Sequence, residues 1–225
     1  MAFVSVDLLY QRGKYILQHE GWLSFLKQGF SFVRNLFFSY GDYYIYEREL
    51  SGLSETEFAS KIPDATLKIV STTQELEGLM VEGFDINRYF DAEELKLRIN
   101  KGMILFCVFI GKNLAHRSFV AMNSKANVDP VLSRPVINWQ NEASIGPCTT
   151  YIKYRGLNLY PYTLSQICRY LQRENKQNVK ITTSKYNSSS IRGIEQAKFR
   201  ICREARYLRL FHLKFWKEKP IKEIS

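Results

Sequence analysis

Eight consecutive apolar residues, Met103 to Ile110 (MILFCVFI), constrain the fold more than any other feature of the sequence. A short run with no polar alternation has no solvent face, so it reads as the central strand of a sheet. Gly111-Lys112-Asn113 is a turn, and Leu114 to Met122 returns as the neighbouring strand. A hairpin therefore sits at the heart of the chain. Whatever surrounds it must cover both sides.

The flanking segments supply that cover. Upstream, Tyr43 to Leu50 is β-rich and Ser51 to Asp64 is a polar connection. Thr66 to Val70 reads as a strand and Thr72 to Gly83 as a helix capped by Ser71 or Thr72. Asp91 to Asn100 reads as a second helix, stopped at Lys101-Gly102. Downstream, Asn123 to Asn141 is a loop and Ala143 to Tyr151 a strand. Lys153 to Asn158 is a basic turn, and Tyr160 to Glu174 is a helix with Leu164, Ile167, Cys168 and Leu171 on one face. Asn178 to Thr183 is a strand, Ser188 to Ala197 a helix, and Phe199 to Phe215 a long basic β-rich tail. A hairpin followed by a strand–helix–strand crossover predicts a mixed α/β sheet covered by helices. At the N-terminus, Trp22, Phe25, Leu26, Phe30, Val33, Leu36, Phe37 and Tyr40 recur at helical spacing. An amphipathic helical segment over residues 1–42 is expected to pack on a single domain over 43–225. An interfacial membrane helix is the other reading of that stripe.

Charge and cysteine content narrow the function classes. Lys plus Arg is 32 against 22 for Asp plus Glu, a net +10. Residues Arg192 to Lys222 hold ten cations and three carboxylates. A basic end suits an anionic partner: a phosphate-bearing ligand, a nucleic acid or a membrane surface. No recognition-helix or RNA-binding signature is present, so no specific nucleic acid is expected. Cys107, Cys148, Cys168 and Cys202 stand far apart with no Cys/His cluster, so neither a zinc site nor a disulfide scaffold is expected. They fit buried thiols of a reducing compartment. Met1 to Tyr10 has no basic lead and carries Asp7, and the longest uncharged run is the 13 residues Gly156 to Cys168. Neither a leader nor a membrane span is expected, and the location predicted is cytoplasmic.

The strongest chemical signal follows the strand that ends at Tyr151. There the chain reads Lys153-Tyr154-Arg155-Gly156-Leu157-Asn158-Leu159-Tyr160-Pro161 and opens a helix. The first amides of a helix have no internal partner, and together with the helix dipole they attract an anion. Arg155 adds charge, Gly156 permits close backbone approach, and Asn158 tolerates left-handed dihedrals. An ordinary solvated basic turn is the competing reading.

This loop, with the later segment Asn187-Ser-Ser-Ser-Ile-Arg-Gly-Ile-Glu-Gln-Ala-Lys-Phe199, resembles the two signature regions of the GNAT superfamily of acyl-CoA-dependent N-acyltransferases. The resemblance covers roughly Thr66 to Phe199. It implies a splayed mixed sheet flanked by helices, with the pantetheine arm of acetyl-CoA or another acyl-CoA in the splay and no metal. Arg155, Gly156, Leu157, Asn158, Leu159 and Tyr160 would form the pyrophosphate loop. Thr149, Thr150 and Tyr151 would pair with pantetheine, and Asn187 and Ser190 would approach the arm and its thiol. The pattern is not complete: Asn158 and Tyr160 stand where the family has Gly and Gly or Ala. Ile194 stands where many relatives have a Tyr acid, and Lys198 where Gly is expected.

For chemistry, aminolysis of a thioester needs a neutral amine and donors to the oxyanion. His116 and Glu142 are candidate bases, and Tyr186 is a candidate acid. Alternation places His116 on one sheet face with Leu114 and Ser118. The resemblance implies an N-acetyltransferase acting on a small-molecule or polymer-linked amine. The alternative is a noncatalytic binding protein of the same fold whose basic tail meets an anionic partner or a peripheral membrane surface.

Overall fold

The computed structural model describes residues 38–53, 64–86, 92–126, 135–211 and 213–221. Strands are β1 (Phe38–Glu49), β2 (Ala65–Val70), β3 (Met103–Ile110), β4 (Asn113–Ala121), β5 (Glu142–Thr150), β6 (Asn178–Ser184), β7 (Arg200–Leu210) and β8 (Leu213–Pro220). Helices are α1 (Thr73–Val81), α2 (Ala92–Asn100), α3 (Leu159–Arg173) and α4 (Ser188–Gln196). The strands are hydrogen-bonded in the order β2-β3-β4-β5-β6-β1-β7-β8. β1 with β6, β2 with β3, β3 with β4 and β4 with β5 pair antiparallel, whereas β5 and β6, joined through the crossover helix α3, pair parallel. The described residues fall into two compact units, one of 42–205 with 218–221 and one of 38–41 with 206–211 and 213–217.

In the larger unit the apolar run behaves as its composition requires. Seven of the eight residues of β3 are buried, because one face meets α1 and α2 and the other meets α3. On the first face Leu105, Cys107 and Phe109 pack with Leu76, Leu79 and Leu95. On the second, Phe106, Ile145 and Ile181 pack with Leu164, Ile167 and Leu171 of α3. Each such side chain contributes roughly 1.5–3 kcal/mol by leaving water.

Helix ends follow from local chemistry. The Thr72 hydroxyl accepts from the Glu75 amide while the Glu75 carboxylate accepts from the Thr72 amide, which fixes the start of α1. α1, α3 and α4 all end with the next residue but one folded back: Phe84 N donates to Leu79 O, Lys176 N to Leu171 O, and Phe199 N to Ile194 O. That closure needs a left-handed residue, and Gly83, Asn175 and Lys198 supply it at φ 84°, 59° and 60°.

Three expectations change. The helix anticipated to Tyr40 lies outside the described residues up to position 37, and Phe38–Tyr40 belong to β1. The basic tail is two strands, not one: Phe211 at φ 54° turns β7 into β8. Leu114 does not share a face with His116. Opposite Val108 and Phe109 stand His116 and Leu114, so Ala115 is an extra residue that flips the alternation. Leu114 packs with the α1–α2 side, and His116 faces α3 and α4.

Candidate functional site

The parallel strands β5 and β6 run together only from Glu142–Asn178 to Ile145–Ile181. β5 continues to Thr150 and β6 to Ser184, but no further pairs join them. The parting begins at a bulge. β5 fits Ser118–Cys148 and Val120–Ile145 against β4, so Gly146 and Pro147 together oppose Phe119 alone. The outer half of β5 therefore shows β6 a backbone edge with no strand on it among the described residues. This open end is where the chemical groups collect.

His116 lies at its floor, fully buried. Its Nδ1 is 2.7 Å from Thr150 Oγ1 and its Nε2 2.9 Å from Ser118 Oγ. Burial, helped by the neighbouring Arg117 charge, pushes the imidazole down to about 3. The ring is held neutral, with both nitrogens engaged by hydroxyls. It fixes Thr150 and Ser118 in place and has no accessible lone pair for an incoming amine.

Tyr160 spans the opening from α3. Its ring lies 5.6 Å from the His116 ring, and its hydroxyl is 3.4 Å from Ser190 Oγ of α4. Burial and the adjacent Cys148 thiol raise its phenol well above the ordinary value. Across from it, a Cβ on Gly193 would lie 2.5 Å from Tyr160 Cδ1, so only glycine accommodates the ring. Cys148 lies within this group beside Ser118 and Tyr160, and burial lifts its thiol to about 11. It is a neutral thiol and not a poised nucleophile.

The loop predicted to meet a diphosphate stands at the same end. Ile152–Tyr154 forms a single 3-10 turn, Gly156 takes φ 84°, and Asn158 takes φ 54° and ψ 22° as the N-cap of α3. Its left-handed geometry is the one expected of the residue that replaces glycine. No side chain caps the helix, and a Cβ on Gly156 would meet nothing within 4 Å. The first-turn amides thus have no side-chain partner at the cap. Pro161 removes one of them, since it has no N–H. Arg155 is exposed, and its Nε donates to Thr150 O at 3.4 Å across the neck of the loop.

The other sequence candidates divide. Thr149 pairs with Arg117 in the ladder, and Tyr151 N donates to Ala115 O at 3.1 Å. Asn187 is the N-cap of α4, its Oδ1 accepting from Ser190 N at 3.1 Å and Ser189 Oγ at 3.0 Å. Tyr186 is 82% exposed on the turn before α4. Ile194, where an acid would have been expected, is fully buried in the core. Glu142 sits at the closed end of the β5–β6 pair and binds Lys180 Nζ through both oxygens at 2.9 and 2.8 Å. The structure brings His116, Thr150, Tyr160 and Ser190 together and leaves Glu142 on the paired side of the strand. Reasoning from sequence placed Ser118 on the His116 face and read Cys148 as a buried thiol; it missed Gly193, whose contact with Tyr160 joins two distant helices. Among the described residues no group of His, Cys, Asp and Glu could hold a metal ion.

No protein-family model and no curated protein sequence matches this chain. Solved structures do. The fold overlaps a GCN5-related N-acetyltransferase from Sphaerobacter thermophilus at TM-score 0.50 and 10% identity, over 87% of this chain and 58% of that one. A GNAT-family acetyltransferase from Colwellia psychrerythraea overlaps at TM-score 0.49 and 13% identity, over 81% and 61%. A tandem GNAT protein from the clavulanic acid biosynthesis pathway does so at 0.49 and 14%, over 87% and 59%. The chain thus spans about three fifths of the length of these three structures. At such identities the likeness is one of fold alone: the mixed sheet and its covering helices are arranged as in the Sphaerobacter thermophilus N-acetyltransferase.

Proposed function

We propose that the protein is an acyl-CoA-dependent N-acyltransferase that moves a short acyl group, with acetyl-CoA as the favoured donor, directly onto an amine. The observation that carries this reading is the parting of β5 from β6 beside an uncapped helix N-terminus. An open strand edge suits an amide-bearing arm, and the turn at 155–160 suits its diphosphate. Arg155 supplies the charge there. The tyrosine and histidine rings that line the inner opening favour a small acyl group.

In this reading the amine nitrogen attacks the thioester carbonyl carbon, the C–S bond breaks, and the surplus ammonium proton leaves to solvent. His116 is held neutral and enclosed, and Glu142 is tied to Lys180, so neither takes that proton. The departing sulfur gains a proton from a neutral hydroxyl, Tyr160 with Ser190 stands at the opening to donate one, and the hydroxyl regains its proton from solvent, so that the amine's lost proton is balanced by the new thiol's. We assign His116 a positioning role. The acceptor amine, free or polymer-linked, would approach over the segments 85–100, which holds α2, and 123–141, and the setting is cytoplasmic.

The test is amine-dependent release of free thiol from acetyl-CoA, with the acylated amine identified by mass. The reading predicts one thiol per new amide and a rate that rises with pH toward the pKa of the amine. No thiol release with any amine, from a protein that also fails to bind acyl-CoA, would overturn it in favour of a noncatalytic binding protein.

A further inference from the structure

The turn at 155–160 and the interior of the sheet meet at one side chain. Tyr160 stands in the first turn of α3, so its amide belongs to the outer turn, but its ring runs across to α4. Ser190 and Gly193 are three residues apart and share a face of α4. The Ser190 hydroxyl is 3.4 Å from the phenol oxygen, and Gly193 lies directly under the ring. A Cβ there would be 2.5 Å from Cδ1 and 3.1 Å from Cε1. A ring seated on a glycine fills the gap between the two helices at this level.

The surroundings of the ring differ from side to side. Toward the sheet stands His116, its ring centre 5.6 Å away, with the Thr150 and Ser118 hydroxyls bonded to it. Elsewhere Tyr160 packs against the apolar cluster that contains Ile145, Leu164, Ile181 and Ile194. Leu164 lies one turn along α3, and Ile194 follows Gly193 on α4. Ile145 with Ile181 is the last pair before β5 and β6 part. The ring thus divides an open end lined by hydroxyls from an interior lined by aliphatic side chains.

We propose that Tyr160, seated on Gly193, is the residue that limits the donor to short acyl groups, and that the aliphatic interior behind it is a latent site for a longer chain. The inference rests on the acyl-CoA reading. With the arm along the free edge of β5, the acyl tail is carried toward the fork at Ile145 and Ile181, and a tail too long for the open end meets the ring. Gly193 beneath and His116 above leave the ring no retreat, so a longer chain is rejected by overpacking. Removing the ring joins the open end to the aliphatic cluster, where each further methylene gains from burial.

Calorimetric titration of the full chain with CoA, acetyl-CoA and hexanoyl-CoA tests this. CoA carries the arm and the diphosphate without an acyl group, so the ratio of acyl-CoA to CoA affinity within one protein isolates the tail. A change in stability alone does not move that ratio. Wild type should bind hexanoyl-CoA about tenfold or more weakly than acetyl-CoA. Tyr160→Ala should reverse the order, favouring hexanoyl-CoA by about tenfold or more. Tyr160→Phe keeps the ring without its hydroxyl and should keep the wild-type order, which separates size from proton donation. Tyr160→Leu should fall between wild type and Tyr160→Ala, and decides the matter if the alanine protein does not fold. The same hexanoyl-to-acetyl ratio in wild type and the smaller variants, with CoA bound by all, overturns the inference and leaves the acyltransferase reading standing. So does a Tyr160→Phe protein that prefers hexanoyl-CoA. Loss of CoA itself from the folded alanine and leucine proteins also overturns it, since Tyr160 would then hold the arm rather than measure the tail. No binding of CoA or of either thioester by wild type and variants overturns the acyltransferase reading, and this inference with it.

Discussion

His116 shows how a residue's chemistry is set by what encloses it. In the sequence it is a histidine in the middle of a strand, a candidate base at a position where a hydrogen-bonded core or pocket histidine is the commoner case. In the fold, two hydroxyls occupy its nitrogens and burial holds it neutral. The imidazole drops from 6.5 to about 3 on folding. Between those values the unfolded chain carries a proton there that the folded protein does not. Its effect is therefore to lower stability as pH falls below 6.5, by up to about 1.4 kcal/mol per pH unit. His116→Gln should be less stable than wild type at neutral pH and should lose less on acidification. Chemical denaturation across this pH range checks it, and a parallel decline in both proteins contradicts it. A second residue-scale prediction concerns the tyrosine at the opening. Gly193→Ala drives a Cβ to 2.5 Å from Tyr160 and should cost about 1–3 kcal/mol. In a Tyr160→Ala background the same change should cost little, so a double-mutant cycle should return most of the penalty as coupling. Additive effects would mean that the two do not share the site.

At the scale of elements, the sequence was informative wherever a local rule governs. The apolar run predicted β3, and Ser71 or Thr72 was expected to cap α1, a choice that the bond from the Glu75 amide settles for Thr72. The Arg155 turn before α3 was legible from residue types because a strand–turn–helix junction has few solutions. What stayed hidden depends on pairing between distant strands. The extra residue at Ala115 and the bulge at Gly146-Pro147 leave no mark in periodicity, yet one aims His116 and the other opens the sheet. Lys198 illustrates the boundary between the two. Its place at a helix end was readable, but its φ of 60° comes from the closure of Phe199 onto Ile194. Left-handed dihedrals cost a β-substituted residue roughly 1–2 kcal/mol relative to glycine. Lys198→Gly should therefore stabilise by about 0.5–1 kcal/mol, after the entropy glycine gains on unfolding is set against it. Asn158→Gly should be tolerated for the same reason, while Asn158→Val should weaken both folding and ligand binding at the turn. Melting curves of the three variants check this order. An Asn158→Val protein as stable as wild type would contradict it.

At the scale of the whole molecule, the positive charge was visible in the sequence, but its disposition was not. Some of the cations between Arg192 and Lys222 serve the sheet itself. Arg203 pairs with Glu218 at 3.1 Å, and Lys185 binds Glu204 at 2.8 Å in the same region. Arg206, Arg209, Lys214 and Lys217 lie along the β7–β8 hairpin between Glu204 and Glu218. Arg155 stands at the mouth of the parted strands. The central claim is that this mouth receives acyl-CoA with the diphosphate at the 155–160 turn. It is tested most directly by calorimetric titration of acetyl-CoA into wild type and Arg155→Glu. The account predicts saturable one-to-one binding by the wild type. One charged hydrogen bond is worth roughly 1.5–3 kcal/mol, so the folded variant should bind about tenfold more weakly or worse. Equal affinity in the two proteins, or no binding by the wild type, would contradict it.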